Sequence, residues 1–200
     1  GSIDKTKYYL KNYSFKNKKI YFKKNLGLYD SINFAIKESK GEIITFLHAD
    51  DIFNSNNKLE KVIKKINKSK NNIFLGDVVY FNNNYKKIYR YYSVNKFKIK
   101  TMVLGNMPPH TGSFYRKEIF KKYKLYKNFK IAADFEHLLR VLYRNNEKYT
   151  TLNMITTRMK SGGLASKNLR SYLIINKELI KSLRLNNIYS NYFLIHLRII

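Results

Sequence analysis

The stretch Glu42-Ile43-Ile44-Thr45-Phe46-Leu47-His48-Ala49-Asp50-Asp51 constrains the fold of this chain more than any other. A near-continuous apolar run with no period-two alternation predicts a strand covered on both faces, as in a parallel sheet flanked by helices. The run ends directly on two adjacent carboxylates. In open α/β sheets, ligands sit beyond the carboxyl ends of strands, so Asp50 and Asp51 stand where a ligand is expected. Two such carboxylates repel each other unless a cation or hydrogen-bond donors compensate. Mg²⁺ or Mn²⁺ suits the pair, because it takes one or two carboxylates together with phosphate oxygens and water. The alternative reading is that one Asp caps the helix that follows.

Around this segment the pattern alternates. Asp4 is placed to cap a helix over residues 5–12, and residues 19–22 read as a brief strand. Leu28, Ile32, Ala35 and Ile36 recur at helical spacing over residues 28–39, ahead of Gly41 as terminator. Residues 58–67 carry Leu59, Val62, Ile63 and Ile66 on one helical face. Residues 73–81 read as a strand, with 87–92 its antiparallel partner across an Asn-rich turn. Met107-Pro108-Pro109 is a rigid break. A short strand (111–115), a helical turn (117–122), a helix (132–144) and a strand (149–159) follow. After the loop Ser161-Gly162-Gly163, residues 168–184 and 188–200 read as helices, the last apolar enough to need a partner surface. Alternating strands and helices in the first half predict an α/β fold with a mixed, mainly parallel sheet.

Composition removes several classes of function. The absence of cysteine excludes disulfides, thiolate metal sites and cysteine nucleophiles. Four scattered histidines argue against a zinc site built from protein ligands alone. No apolar run reaches the ~20 residues of a membrane span, and no leader pattern follows Gly1, so an intracellular, soluble chain is expected. The formal net charge of +27 suggests nucleic acid or an anionic membrane. Yet 32 of the 40 basic residues are Lys, and Lys, Asn, Ile, Tyr and Phe fill 109 of 200 positions. All five are encoded by codons made only of A and T, and the lysines are spread along the chain. Compositional drift therefore accounts for much of the charge.

Other residues are candidates for chemistry. Asp134, in Ala132-Ala133-Asp134-Phe135-Glu136-His137-Leu138-Leu139-Arg140, lies at the start of a helix, as a cap or as a general base facing a cleft. Gly27-Leu28-Tyr29-Asp30 opens a helix whose N–H groups suit a phosphate. Asp30 has the wrong sign for that, and fits a cap or a ribose hydroxyl. His110 either bonds substrate or locks its loop, Gly162 and Gly163 form a lid or a plain turn, and His137 and His196 read as structural.

In order, these pieces resemble the family 2 glycosyltransferases, particularly the bacterial branch that builds surface polysaccharides such as lipopolysaccharide and capsule. Gly1–Thr6 resembles the tail of a D-G-S-x-D-x-T segment, Gly27–Ile36 a G-I-Y-D-A-M-N-x-G-I stretch, and Gly41–Phe53 a G-[DE]-[IVY]-[IL]-x-[FW]-L-N-[AS]-D-D block. Gly76-Asp77-Val78 matches a G-D-V strand, and Pro109–Phe114 resembles P-x-H-x-x-x-F. Ala132–Arg140 resembles A-A-D-[YF]-[ED]-x-x-L-R, and Met159–Ser166 resembles M-x-x-G-G-x-S. The likeness spans about residues 1–166 with its spacing kept.

The resemblance implies a GT-A fold (Rossmann-like, for nucleotide-diphospho-sugars) over residues 1–166 and a C-terminal helical extension over 167–200. It implies an inverting transfer of one sugar from a nucleotide-diphosphate donor to a glycan or polyprenyl-linked acceptor. Asp134 would be the base, Asp50 and Asp51 would hold a divalent cation, and Asp30, His48, Ala49 and Asp50 would meet the nucleotide-sugar. His110, Thr111, Gly162 and Gly163 would lie near donor or acceptor sugar. The family's opening strand and helix, about 30 to 40 residues at the usual βαβ size, have no counterpart here, so a chain lacking the first βαβ portion is expected. His48 stands where Asn or Asp is usual, and the Q-x-x-R-W signature of processive synthases is missing, which favours single-sugar addition. The alternatives are a catalytically inactive GT-A-like binding module and a basic nucleic-acid-binding protein. The cytoplasm is the expected location, with peripheral association of residues 188–200 at the inner membrane face.

Overall fold

The computed structural model describes residues 4–14, 17–23, 26–82, 87–125, 129–160, 162 and 169–199. Its centre is β3 (Ile73–Phe81), buried along almost its whole length. A buried strand must pair its backbone groups on both edges. β3 does so with β5 (Ser113–Arg116) on one side and β6 (Tyr149–Lys160) on the other, while β4 (Ile88–Tyr92) closes a hairpin on its far end. β1 (Ile43–Thr45) adds to β5, and the two-residue β2 (Ile52–Phe53) adds to β6. The resulting order is β1-β5-β3-β6-β2, with β4 off this path.

Alternating side chains sort two cores. Ile44, Ile73, Leu75 and Tyr115 face a large cluster built with Leu138, Leu139, Leu142, Leu179 and Leu183. Phe74, Phe114 and Leu152 face the opposite side, under Val62 and Ile66 of α3 (Lys58–Ile66). Of the four residues expected on the packed face of α3, Val62 and Ile66, at the i, i+4 spacing that puts two residues on one stripe, are buried, while Leu59 and Ile63 stay exposed, because the packed stripe is narrower than the apolar pattern. α2 (Leu28–Glu38), α4 (Glu118–Lys122) and α5 (Ala133–Leu138) complete the helices around the site, after the peripheral α1 (Thr6–Asn12). α6 (Leu169–Leu185) and α7 (Tyr192–His196) join the large core through Leu179, Ile180, Leu183 and Ile195.

The α/β class and mixed sheet match the expectation. The mainly parallel character does not: β3–β6 is the one parallel ladder among the described residues, and the other four are antiparallel. An apolar run reports burial on two faces but carries no information on strand direction. β1 is likewise shorter and less covered than expected, since β5 is its one partner among the described residues and only Ile44 of its three residues is buried. Residues 19–22 form no strand; they are largely exposed and have no ladder partner. Residues 111–115 divide into a 3₁₀ turn (His110–Gly112) and β5. The helix expected to run to Arg144 widens into a π-helical turn at Leu139–Arg144. The last segment is helical only over α7 and the 3₁₀ turn Leu197–Ile199.

Two glycines fix how closely β3 approaches the turn before β5. A Cβ on Gly76 would collide with the Thr156 side chain of β6, and one on Gly112 would lie 2.6 Å from Val78 Cγ2 and 2.9 Å from the Gly76 carbonyl. Asp77 pins the far end of β4, its Oδ1 accepting from the Val94 N–H at 2.8 Å and its Oδ2 from the Tyr91 hydroxyl at 2.6 Å. Gly112→Ala is expected to cost about 1–3 kcal/mol, because the backbone carbonyl it meets cannot move aside. Urea unfolding checks this: the midpoint falls while the slope stays unchanged.

Candidate active site

The chain leaves β1 through Phe46 and turns at His48, where the Asp51 N–H reaches the His48 carbonyl at 3.0 Å. β2 begins at once and pairs Ile52 with Arg158 of β6, which sets the acid pair beside the end of that strand. Asp50 projects into solvent, with Lys160 Nζ 3.8 Å from its Oδ1. Asp51 is only 7% exposed, and its Oδ2 is buried without a hydrogen-bond partner. Burial raises the Asp51 carboxyl above the ordinary range, opposed by the charge of His48 and the backbone N–H of Lys160. Neither acid caps a helix, since β2 follows Asp51 directly and α3 starts only at Lys58.

Asp134 comes from another part of the chain. It sits inside the first turn of α5, whose N-cap is Ala132 with no side-chain cap, so the capping role does not apply. Its Oδ1 accepts the Phe135 N–H at 2.9 Å and the Tyr29 hydroxyl of α2 at 3.1 Å. Burial pushes the Asp134 carboxyl upward, against those two hydrogen bonds and the charge of His48. The same imidazole thus acts on Asp51 and on Asp134, and the two acidic centres share one electrostatic neighbourhood.

His110 closes the cluster from beneath. It is 8% exposed and stacks on Phe46 at 4.3 Å between ring centroids, with His48 6.3 Å away. Burial, reinforced by the charges of His48 and His137, lowers its pKa to about 3. The His110 ring is therefore neutral at ordinary pH. Thr111 is buried, and its Oγ1 has no hydrogen-bond partner among the described residues. Ala49 is exposed in the turn. Asp30 stands partly exposed in the first turn of α2, with no hydrogen bond to Asp134 or to the acid pair among the described residues. Gly162, two residues beyond Lys160, takes a left-handed φ of 92° with open space around it, a conformation suited to glycine. Gly163 and Ser161 lie outside the described residues, as do Gly1, Ser2 and Ile3. His137 is structural as expected: it is buried, with Nε2 2.9 Å from the Tyr123 carbonyl oxygen.

Three contributors were not singled out from sequence. Tyr29 holds Asp134, Lys160 stands beside Asp50, and Glu178 of α6 accepts from the N–H groups of Lys130 at 2.6 Å and of Ile131 and Ala132 at 2.9 Å each. Tyr29 and Lys160 lie within quoted motifs, but Glu178 is a lone acid on an amphipathic helix and carries no sequence signal. Among the described residues, no three His, Asp or Glu side chains gather as a ready metal cage. A groove of about 440 Å³ between α6 and α7, lined by Lys177, Lys181, Arg184 and Tyr192 among others, shares no residue with the cluster.

The family model for glycosyl transferase family 2 matches residues 1–124. No curated protein matches the chain. Among solved structures, the chain is similar to S. aureus TarS 1-349, at 16% identity and a TM-score of 0.53 over 83% of this chain and 47% of that one. It is also similar to S. aureus TarS 1-349 in complex with UDP-GlcNAc, at 15% identity and a TM-score of 0.55 over 83% of this chain and 49% of that one. At such identities the likeness is one of fold, and the chain spans about half the length of these structures.

The buried histidines set a pH response. His137, like His110, is lowered to about 3 by burial, against 6.5 for a free imidazole. Below pH 6.5 the unfolded chain binds protons that the folded chain refuses, so stability falls as pH drops from 6.5 toward 3. In a ¹H–¹³C NMR titration, the ring signals of His110 and His137 are expected to stay fixed between pH 7 and 5.

Proposed function

Because the chain belongs to glycosyl transferase family 2, we propose that it is an inverting glycosyltransferase which moves one sugar from a nucleotide-diphosphate donor to a glycan or lipid-linked acceptor in surface polysaccharide synthesis. The observation that carries this reading is the partly buried Asp134, held at one oxygen by the Phe135 N–H and the Tyr29 hydroxyl at the start of α5. A carboxylate raised by burial and fixed in direction is suited to take a proton from an acceptor hydroxyl as that oxygen attacks the anomeric carbon. His110, neutral and walled in by Phe46, fits a hydrogen-bonding role toward a sugar hydroxyl. By their places in the family-like motifs, Asp30 is assigned to the nucleotide and the turn at Gly162 to the donor sugar.

The acid pair fits a divalent cation. Asp51 keeps a buried oxygen with no hydrogen-bond partner among the described residues, and Asp50 lies beside it facing solvent. With one or two carboxylates from the protein, the remaining ligands would be diphosphate oxygens and water, the usual arrangement for Mg²⁺ or Mn²⁺. When bound, the cation supplies a Lewis acid that offsets charge growing on the departing nucleoside diphosphate. Lys160, 3.8 Å from Asp50, offers a cation from the protein itself near that leaving group.

UDP-GlcNAc, the donor bound in one structural neighbour, is the probe. Donor turnover with Mn²⁺ is expected to fall about 100-fold or more in Asp134→Asn, with UDP affinity held within twofold. Turnover that survives the substitution removes the base assignment. UDP binding with no turnover in any condition favours the inactive binding module.

A lipid-linked acceptor places the protein at the inner face of the cytoplasmic membrane. No helix among the described residues is long and apolar enough to cross one. Tyr189 and Phe193 are 79% and 72% exposed, and Lys177, Lys181 and Arg184 line the groove beside Tyr192, so this end of the chain offers both aromatic and basic side chains to an anionic bilayer surface. The protein is expected to float with vesicles containing phosphatidylglycerol and to stay behind with phosphatidylcholine alone. Phe193→Ser combined with Tyr189→Ser is expected to lower the floated fraction.

A further inference from the structure

Tyr29, one of the two donors to Asp134, is 4% exposed, and its hydroxyl is directed at the base. The phenol oxygen meets two acceptors, the carbonyl oxygen of Ile131 and Asp134 Oδ1 at 3.1 Å. Ile131 lies in the short passage that leads into α5, and Asp134 in that helix's first turn. From the other side, Glu178 grips the same passage, accepting three consecutive backbone N–H groups from Lys130 to Ala132. The Ile131 carbonyl is thereby fixed, and through it the phenol ring. Leu125, Phe129 and Ala133 pack around Tyr29 and lock its position.

We propose that Tyr29 is the positioning residue of the base, its hydroxyl holding the Asp134 carboxylate in direction and in its ionised form. This rests on the reading of Asp134 as base. The phenol has a single proton and two acceptors. When Asp134 is ionised, the proton is drawn toward the carboxylate. When Asp134 takes up a proton, it donates to the phenol oxygen while the phenol donates to Ile131. The pair thus accommodates both states without moving, as a base that must accept a proton and later release it requires. The groups facing Asp134 are few: Tyr29 from α2, His48 from the turn after β1, and Tyr115 of β5, whose phenol is raised by burial and by the Asp134 charge. Of its helix neighbours, Glu136 is paired with Arg140 and His137 with Tyr123. Glu178 is engaged with backbone N–H groups beneath the passage. Among these, Tyr29 is the one side chain bonded directly to the carboxylate, and its bond favours the charged form.

The test is a ¹³C NMR titration of the Asp carboxyl carbons, with Asp134 assigned by its loss in Asp134→Asn. Tyr29→Phe is expected to raise the Asp134 midpoint by about one pH unit, the size of one lost hydrogen bond to a charged group. The acid limb of donor turnover moves to higher pH by the same amount, while UDP affinity and the urea midpoint of the fold change little. 3-Fluorotyrosine at position 29, a more acidic donor that keeps the ring, is expected to lower the midpoint, and it supplies the reading should Tyr29→Phe not fold. An Asp134 midpoint unmoved in both would overturn the role of Tyr29. Turnover persisting in Asp134→Asn while the midpoint shift is present would instead overturn the base assignment beneath it.

Discussion

Everything at the site hangs from the demand that β3, buried on both faces, pair its backbone on both edges. β5 and β6 meet that demand, and each carries part of the site with it. β5 is entered through the His110–Gly112 turn, so pairing it against β3 sets His110 under Phe46. β6 pairs with β2 on the edge away from β3, which sets Asp50 beside Lys160. Gly76 and Gly112 make the approach of these elements possible, because neither position has room for a Cβ.

Electrostatics then distinguishes this cluster from the rest of the surface. A chain with formal charge +27 has only thirteen acidic residues, and three of them share the charge of His48 or adjoin one that does. Carboxylates partly withdrawn from water in a basic protein resist ionisation by burial and are supported by nearby donors. The balance is what a metal ligand and a proton acceptor need. The broad positive charge is spread by comparison, its lysines dispersed along the chain.

Much of this was legible in the sequence where the signal is local. The helical spacing of Leu59, Val62, Ile63 and Ile66 located α3, though only Val62 and Ile66 of the four are buried, and the mostly apolar residues 73–81 located the central strand to the residue. Asp51 and Asp134 were recognisable because each sits where an element begins or ends. Strand direction was not legible, since burial on both faces is the same for parallel and antiparallel neighbours. Neither were the partners of Asp134: Tyr29 is 105 residues distant, and Glu178 reaches Ala132 across 46. Nothing in the local pattern around either residue reports a contact that only the folded topology creates.

The central claim is that the acid pair and Asp134 serve one bound donor. Paramagnetic broadening by Mn²⁺ with UDP, read on the backbone amide signals of the full chain, tests it most directly. The account predicts that broadening centres on Asp50 and Asp51 and extends to His48, His110 and Asp134, leaving the α6–α7 groove sharp. Broadening centred on Lys177–Tyr192, or confined to Asp50 and Asp51 with Asp134 untouched, would contradict it.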